Sequence, residues 1–275
     1  MRWMLRRGWM YACALAVSAF ALFPIYYVVI TSLKPRSEIY TRTPDLWPND
    51  PQWHQYTRVL TEGHVARALA NSLIVATATT LICVLVAGMA AYALARLEVP
   101  LKRTLLMLIL TTQMFPLVVL IIPLFVLMRN ANLIGTYQGL VIAYLAFTVP
   151  LAIWIMRGFI LTIPEELEHA AMTDGATRVG AMFRVILPIA GPGLIATATL
   201  SFIAAWNEFM LALTFMDTEE KKTLPLVLQQ FVGRGDTDWG AVMATSVIYT
   251  VPVILFFLLM RKRLMLGMTA GAVKG

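Results

Sequence analysis

The chain has 275 residues, of which 59% are hydrophobic and 13% charged. A soluble globular domain carries about 25% charged residues, so this chain has too few charges to cover a water-facing surface of its size. The composition therefore predicts an integral membrane protein. The Lys and Arg that give the net charge of +7 are dispersed among apolar segments, which favours anchoring to a membrane over binding to nucleic acid.

Residues that carry chemistry are scarce. The two cysteines, Cys13 and Cys83, each lie inside an apolar segment, and the chain has three histidines. The sequence contains no HExxH, CxxC, GxSxG or Walker A motif. We therefore predict that this chain has no catalytic residue and binds no metal or cofactor.

Six apolar segments are each long enough to cross a bilayer, which takes ~20 helical residues. The ten-residue alternation of transmembrane strands does not occur, so the predicted fold class is all-α with six transmembrane helices. The first segment could also be a signal peptide cleaved near Ala19-Phe20-Ala21, but its apolar character continues far enough to span. The predicted spans are 9–33, 69–94, 105–127, 139–160, 191–216 and 241–260.

The segments between these spans predict the orientation. Lys and Arg are more frequent in 1–8, 95–104, 161–190 and 261–275 than in 34–68, 128–138 and 217–240. Because cytoplasmic loops carry the excess of Lys and Arg, we expect both termini in the cytoplasm of a bacterial cell, with the chain in its inner membrane.

Two polar residues interrupt the fifth span, Asn207 and Glu208. An ionised group at mid-bilayer costs ~2.5–3.5 kcal/mol even on insertion scales. Glu208 therefore either hydrogen-bonds another helix, lines a translocation path, or reaches the membrane interface. With Gln113 in the third span, these residues are the candidate lining of such a path.

The segment 161–190 has helix signals that an ordinary loop lacks. Thr162 and Glu165 are spaced as a capping box with Pro164 in the first turn, which predicts a helix start. Gly175 can end that helix at a positive φ. Asp174 or Thr177 can then cap a second helix that ends at Ile186, so the pattern predicts a helix–turn–helix on the cytoplasmic side.

A larger set of motifs resembles one family. Ala170-Ala171, Gly175 and Val185-Ile186-Leu187-Pro188 have the spacing of the EAA signature of permease subunits in binding-protein-dependent ABC importers. Other matching motifs lie along most of the chain, and together they resemble the carbohydrate-uptake branch, specifically the maltose-permease G-like subunit. These motifs are Gln113-Met114-Phe115-Pro116, Ile122-Pro123-Leu124, Val149-Pro150-Leu151-Ala152-Ile153-Trp154, Trp206-Asn207-Glu208-Phe209, Thr223-Leu224-Pro225 and the tail from Gly267 to Gly275.

The resemblance implies a type I ABC importer permease fold with cytoplasmic coupling helices and no catalysis by this chain. It implies as partners a second, different permease subunit, two ATPase subunits that use ATP and Mg, an extracytoplasmic sugar-binding protein and membrane lipid. The implied ATPase-coupling residues are Glu165, Glu168, His169, Ala170, Ala171, Asp174, Gly175, Leu187 and Pro188. The chain departs from the family at His169, which replaces the signature glutamate; Glu168 lies one residue earlier, about 100° around a helix.

Two further segments acquire roles from the resemblance. The tail, with Gly267, Thr269, Gly271 and Lys274, is expected to enter the ATPase dimer interface, although such a terminus is often disordered by itself. The outer loop is expected to reach the binding protein through Gly233, Arg234, Gly235, Asp236 and Trp239, with a tight turn at its centre; the alternative is a solvated connector.

Two other functions fit the sequence less well. A stand-alone secondary transporter or channel would need ion-coupling charges or repeated broken helices, and a membrane-embedded enzyme would need a catalytic cluster. The cargo expected from the resemblance is a di- or oligosaccharide, with glycerol-phosphate-type compounds as the alternative.

Overall fold

The computed structural model describes residues 2–43, 45–233 and 237–272, with side chains from residue 9 to residue 261. Within these ranges the regular elements are helices, and no β-strand occurs. The chain has an all-helical fold, as predicted from its composition.

The helices follow the apolar segments of the sequence. They are α1 (Arg2–Ser32), α2 (Arg36–Ile39), α3 (His54–Thr61), α4 (Val65–Arg96), α5 (Lys102–Thr112), α6 (Leu117–Asn130), α7 (Tyr137–Leu161), α8 (Glu166–Thr173), α9 (Arg178–Ala181), a π-helical turn (Met182–Ile186), α10 (Leu187–Ile189), α11 (Gly191–Trp206), α12 (Met210–Phe215), a 3-10 turn (Glu219–Lys221), α13 (Leu224–Gln230) and α14 (Trp239–Ala272).

The membrane-spanning segments are of two kinds. In the described part of the chain, four helices are long and apolar enough to cross a membrane: α4, α7, Trp9–Ser32 of α1 and Trp239–Arg261 of α14. Two further pairs are bent, by 100° between α5 and α6 and by 77° between the Arg178–Ile189 segment and α11. The number of spans is six if each bent pair forms one span, as the sequence predicted.

Two of the predicted spans are not continuous helices. The segment 105–127 is broken between Thr112 and Leu117, because Pro116 has no N–H to donate and disfavours helical geometry at the preceding residue. The segment 191–216 is interrupted by three non-helical residues between α11 and α12. Sequence hydropathy alone did not reveal these breaks.

The chain divides into two compact units, one formed by residues up to 66 and 227–251, the other by residues 67–226 and from 252 onward. In the first unit, Ser32 and Tyr56 share a 2.6 Å hydrogen bond, and Val59 and Val65 are buried.

The core of the second unit includes a cluster in which α4 and α7 meet the π-helical turn, with Ala91, Met156, Ile160 and Ile186 fully buried. Small residues on α4, including Ala87 and Ala91, leave room for close approach of neighbouring helices. This cluster supports the segment that follows α7.

Candidate functional site

The segment after α7 forms the predicted helix–turn–helix, but its first helix begins later than expected. The capping-box prediction is wrong: Thr162 Oγ1 donates to the Phe159 carbonyl oxygen at 2.7 Å and lies at the end of α7. Helix α8 begins at Glu166, with Glu165 as its N-cap and no side-chain cap. The reason is that α7 continues to Leu161 and uses the Thr162 side chain for its own last turn.

The turn between the two helices follows the prediction closely. Gly175 has φ = +91°, a conformation that disfavours any side chain, and its N–H donates to Met172 O at 3.1 Å. Of the two candidate caps for the next helix, Thr177 is the one used: its Oγ1 accepts from the Gly180 N–H at 3.1 Å.

The second helix does not end at Ile186 as predicted. It continues through the π-helical turn into α10, which reaches Ile189. Pro188 has no N–H to donate within a regular helix, and the wider π turn directly before α10 accommodates this loss. Met182 and Ile186 are buried in the cluster with α4 and α7, so the second helix is anchored in the core.

A buried ionic cluster joins α8 to the end of α4. Tyr92 Oη donates to Glu168 Oε1, and Arg96 Nε lies 3.3 Å from Glu168 Oε2, an ion pair not aligned as a hydrogen bond. The Arg96 and Glu168 side chains are only 5% and 6% exposed. The resemblance implied that Glu168 meets the ATPase, but in the structure its carboxylate is buried against Tyr92 and Arg96.

Most of the other predicted coupling residues lie on α8 and in the turn that follows it, whereas Leu187 and Pro188 lie in α10. His169, Ala170 and Asp174 are exposed. Glu165 is 64% exposed at its side chain and lies 3.3 Å from Arg96 Nη1. The remaining members are half-buried Ala171 and Leu187 and exposed Gly175 and Pro188.

Glu208 has a role that the sequence alternatives did not include. Its two carboxylate oxygens accept from the backbone N–H groups of Leu211 and Ala212, at 2.8 and 3.1 Å. These are amides of the first turn of α12, so the acid caps that helix where the fifth span is interrupted. Asn207 Nδ2 donates to Ile203 O at 2.9 Å.

Gln113 lies apart from this cap. It lines a cavity of about 210 Å³ between α7 and α11, and its Nε2 donates to Phe147 O at 3.3 Å. Thr148, Thr197 and Ser201 also line the cavity. Neither Asn207 nor Glu208 is among the described residues that line it, so the three candidate path residues do not share one site.

The segment 217–240, predicted as a loop, contains helical structure. Besides the 3-10 turn it includes α13, in which Leu226 and Val227 are buried. Asn71 of α4 supports its first part, with Nδ2 donating to Glu220 O at 2.9 Å and to Lys222 O at 2.8 Å. Sequence reasoning missed this supporting role of Asn71, although an amide inside an apolar span was a signal for it.

In the second half of that segment, Asp238 contacts Phe231 and Arg58. The Asp238 N–H donates to Phe231 O at 3.1 Å, and Asp238 Oδ2 lies 2.5 Å from Arg58 Nη2. Gly233 is exposed and Trp239 is 39% exposed. The predicted turn residues Arg234, Gly235 and Asp236 lie outside the described residues.

The predicted tail residues Gly267, Thr269 and Gly271 belong to the backbone of α14, and Lys274 lies outside the described residues. Among the residues that the structure describes, no group of three His, Cys, Asp or Glu side chains is placed to hold a metal ion.

Comparison with known proteins identifies the family. Residues 84–265 match the protein family described as binding-protein-dependent transport system inner membrane component. The chain is 36% identical over 254 residues to the sulfoquinovosyl glycerol transport system permease protein SmoH of Agrobacterium fabrum, covering 92% of this chain and 89% of the relative. It is 39% identical over 261 residues to the trehalose transport system permease protein SugB of Mycobacterium tuberculosis, covering 94% of each.

A solved structure agrees with these relatives. A chain of a bacterial ABC transporter involved in the import of the acidic polysaccharide alginate superposes with a TM-score of 0.78 at 26% identity, over 95% of this chain and 98% of that chain. In this family the membrane component is not catalytic, and ATP is hydrolysed by partner proteins. The chain belongs to the binding-protein-dependent inner membrane components, the permease subunits of ABC importers.

Proposed function

We propose that this permease imports a carbohydrate, a di- or oligosaccharide, and forms half of the translocation path. The two relatives described above are named for sulfoquinovosyl glycerol and for trehalose, and the solved transporter for alginate. All three compounds contain sugar rings, which supports a carbohydrate cargo. Glycerol-phosphate-type compounds remain the alternative to test.

The observation that carries the proposed mechanism is the exposed turn around Gly175. Helix α8 and the turn present His169, Ala170 and Asp174 to solvent, while the following helix is buried in the core through Met182 and Ile186. Helix α8 and its turn are accessible to an ATPase, and the helix that follows is packed in the core. A displacement of α8 by a docked ATPase can therefore be transmitted to the membrane spans. Small Ala170 leaves room for the surface of that ATPase.

The proposed partners are two ATPase subunits that use ATP and Mg, a second and different permease subunit, and a sugar-binding protein. Among the described residues, α5 has no buried side chain and α6 has only Ile121 buried. These apolar helices therefore need a cover, which lipid and the second permease would supply. The distribution of Lys and Arg supports placing both termini in the cytoplasm of a bacterial cell with an inner membrane.

Three sets of residues complete the proposal. Gln113 would face the path through its cavity, with Asn207 and Glu208 shaping the interrupted fifth span. The outer turn at Gly233, Arg234, Gly235, Asp236 and Trp239 would contact the binding protein, and the tail with Gly267, Thr269, Gly271 and Lys274 would enter the ATPase interface.

The test is reconstitution of the complex in proteoliposomes with its binding protein. We expect ATP-dependent uptake and ATPase activity stimulated by the sugar-loaded binding protein. The Ala170→Trp variant should lose the ATPase subunits during purification in mild detergent, because the indole occupies the proposed docking surface.

The matched control is Ala131→Trp, which makes the same change at another exposed alanine, just after α6, and should retain the ATPase. Full retention of the ATPase by Ala170→Trp would contradict docking at α8. Uptake by this chain without any ATPase would instead support a stand-alone transporter.

A further inference from the structure

We propose that Tyr92 and Arg96 are positioning residues that hold α8 to the end of α4 through Glu168, so that both helices move as one body during transport. This inference rests on the proposed coupling role of α8. It assigns a role in coupling to two residues that belong to a membrane span and not to the coupling segment itself.

The carboxylate of Glu168 has two partners on the same helix, α4. Tyr92 and Arg96 are four residues apart on α4 and therefore lie on one face. Tyr92 Oη donates to Glu168 Oε1, and Arg96 Nε lies 3.3 Å from Oε2. Each carboxylate oxygen of Glu168 thus contacts a side chain of α4. The two contacts fix the orientation of the carboxylate as well as its distance from α4.

Arg96 also contacts the residues directly before α8. Its Nη2 donates to the Ile163 carbonyl oxygen, and its Nη1 lies 3.3 Å from Glu165 Oε1. The planar guanidinium presents its donors in a fixed fork. A single side chain of α4 therefore contacts the connection from α7, the N-cap of α8 and the body of α8.

Helix α8 contributes little else to its attachment to the spans. Glu168 is the only buried residue of α8, so the helix has no buried apolar side chain of its own. Close to the cluster lie Ile163 and Met182, which belong to the buried core around α4. Separating α8 from α4 would leave the Glu168 carboxylate without its partners and Arg96 without its two acids in an apolar setting, which is strongly unfavourable. The ionic cluster is therefore the direct attachment of α8 to α4.

The consequence for coupling is specific. A displacement of α8 by the ATPase would move α4 with it. The exposed turn at Gly175, and not the N-terminal end of α8, would adapt to the surface of the partner. This also explains why Glu168 does not replace the signature glutamate missing at His169, since its carboxylate is already bound within the chain.

The experiment compares Glu168→Gln and Tyr92→Phe with the control Glu166→Gln, which removes an exposed charge from the first turn of the same helix. In proteoliposomes, both cluster variants should retain ATPase subunits and ATP hydrolysis but transport less sugar per ATP, by about fivefold for Glu168→Gln. The control should match the wild type. Because Tyr92→Phe removes one oxygen and keeps the ring and the ion pair, it remains informative if Glu168→Gln folds poorly.

A distance measurement separates positioning from a general loss of stability. Spin labels at Met89→Cys on α4 and Leu167→Cys on α8, both exposed positions, are placed in a Cys13→Ser background. We expect one narrow distance that is the same with and without ATP, and a broadened distribution in the Tyr92→Phe and Glu168→Gln variants.

Two results would overturn the inference: a wild-type distance that changes when ATP binds, or unchanged sugar per ATP in both cluster variants. Absence of any ATPase in the wild-type preparation would instead count against the proposed function, so the two failures are distinguishable.

Discussion

The carboxylate of Glu208 accepts a hydrogen bond from the backbone N–H of Leu211, with 2.8 Å between oxygen and nitrogen. This contact places the one acid of the fifth span at the N-terminus of α12, where the first N–H groups have no partner within the helix. The negative charge is also favoured by the helix dipole at this end. The interruption of the span therefore carries its own cap.

Replacing Glu208 with Ala should destabilise the permease by about 1–2 kcal/mol, because two amides lose their acceptor. Glu208→Gln keeps an acceptor oxygen but loses the charge, so it should lie between Ala and the wild type. Thermal unfolding of the purified complex in detergent measures both. A Glu208→Ala protein as stable as the wild type would show that the cap is unimportant.

Replacing Gly175 with Val should weaken the association with the ATPase. At φ = +91° a β-branched residue costs roughly 1–2 kcal/mol, so the turn would relax and move α8 relative to α9. The fraction of ATPase retained on purification reports the change. Gly158→Val is the control, since that glycine is helical and has no neighbouring atom within 4 Å of an added Cβ; equal losses in both variants would contradict a role of the turn.

Local sequence signals predicted part of this site well. Gly175 and Thr177 act through their own backbone and the next turn, so their roles could be inferred from residue type and spacing. The apolar segments likewise predicted all the long helices. The capping-box prediction for Thr162 failed because the same hydroxyl can end one helix or begin the next. Only the length of α7 decides between these two uses.

Several of the contacts that the sequence did not predict join distant parts of the chain. Tyr92 and Arg96 contact Glu168 although they lie 76 and 72 residues before it in the sequence. The resemblance placed Glu168 among the ATPase-coupling residues, and helix periodicity does not reveal which face a short helix buries. Asn71 was missed because its partners are distant in sequence: they are the carbonyl oxygens of Glu220 and Lys222, beyond the fifth span.

Asn71 supplies a further prediction. Its amide donates to Glu220 O and Lys222 O, and its Oδ1 accepts from Tyr137 Oη at 2.8 Å. Asn71→Ala leaves these groups without a partner at a buried position, so we expect a loss of about 1–3 kcal/mol in thermal unfolding. Asn130→Ala, at an exposed position, should have little effect. A small loss in Asn71→Ala would mean that other donors satisfy the two carbonyl groups.

Deleting residues 234–236 tests the outer turn while preserving its base. Asp238 must be kept because it binds Arg58 and because its Oδ1 accepts from the Ala241 N–H at 3.0 Å, at the start of α14. We expect the complex to assemble normally and to lose most of its stimulation by the binding protein. ATP hydrolysis in the absence of binding protein is the internal control. Unchanged stimulation would make this turn a simple connector.

The uneven burial of the long helices has a consequence for the lipid around them. Of the residues in the most apolar 18-residue stretch of each helix, 6% are buried within the chain in α1 and 50% in α7. The 24-residue apolar part of α1 is about 36 Å long at 1.5 Å per residue, which exceeds a hydrocarbon thickness of about 30 Å. Because few neighbours in the chain fix its tilt, α1 is the helix whose angle should follow the thickness of the bilayer.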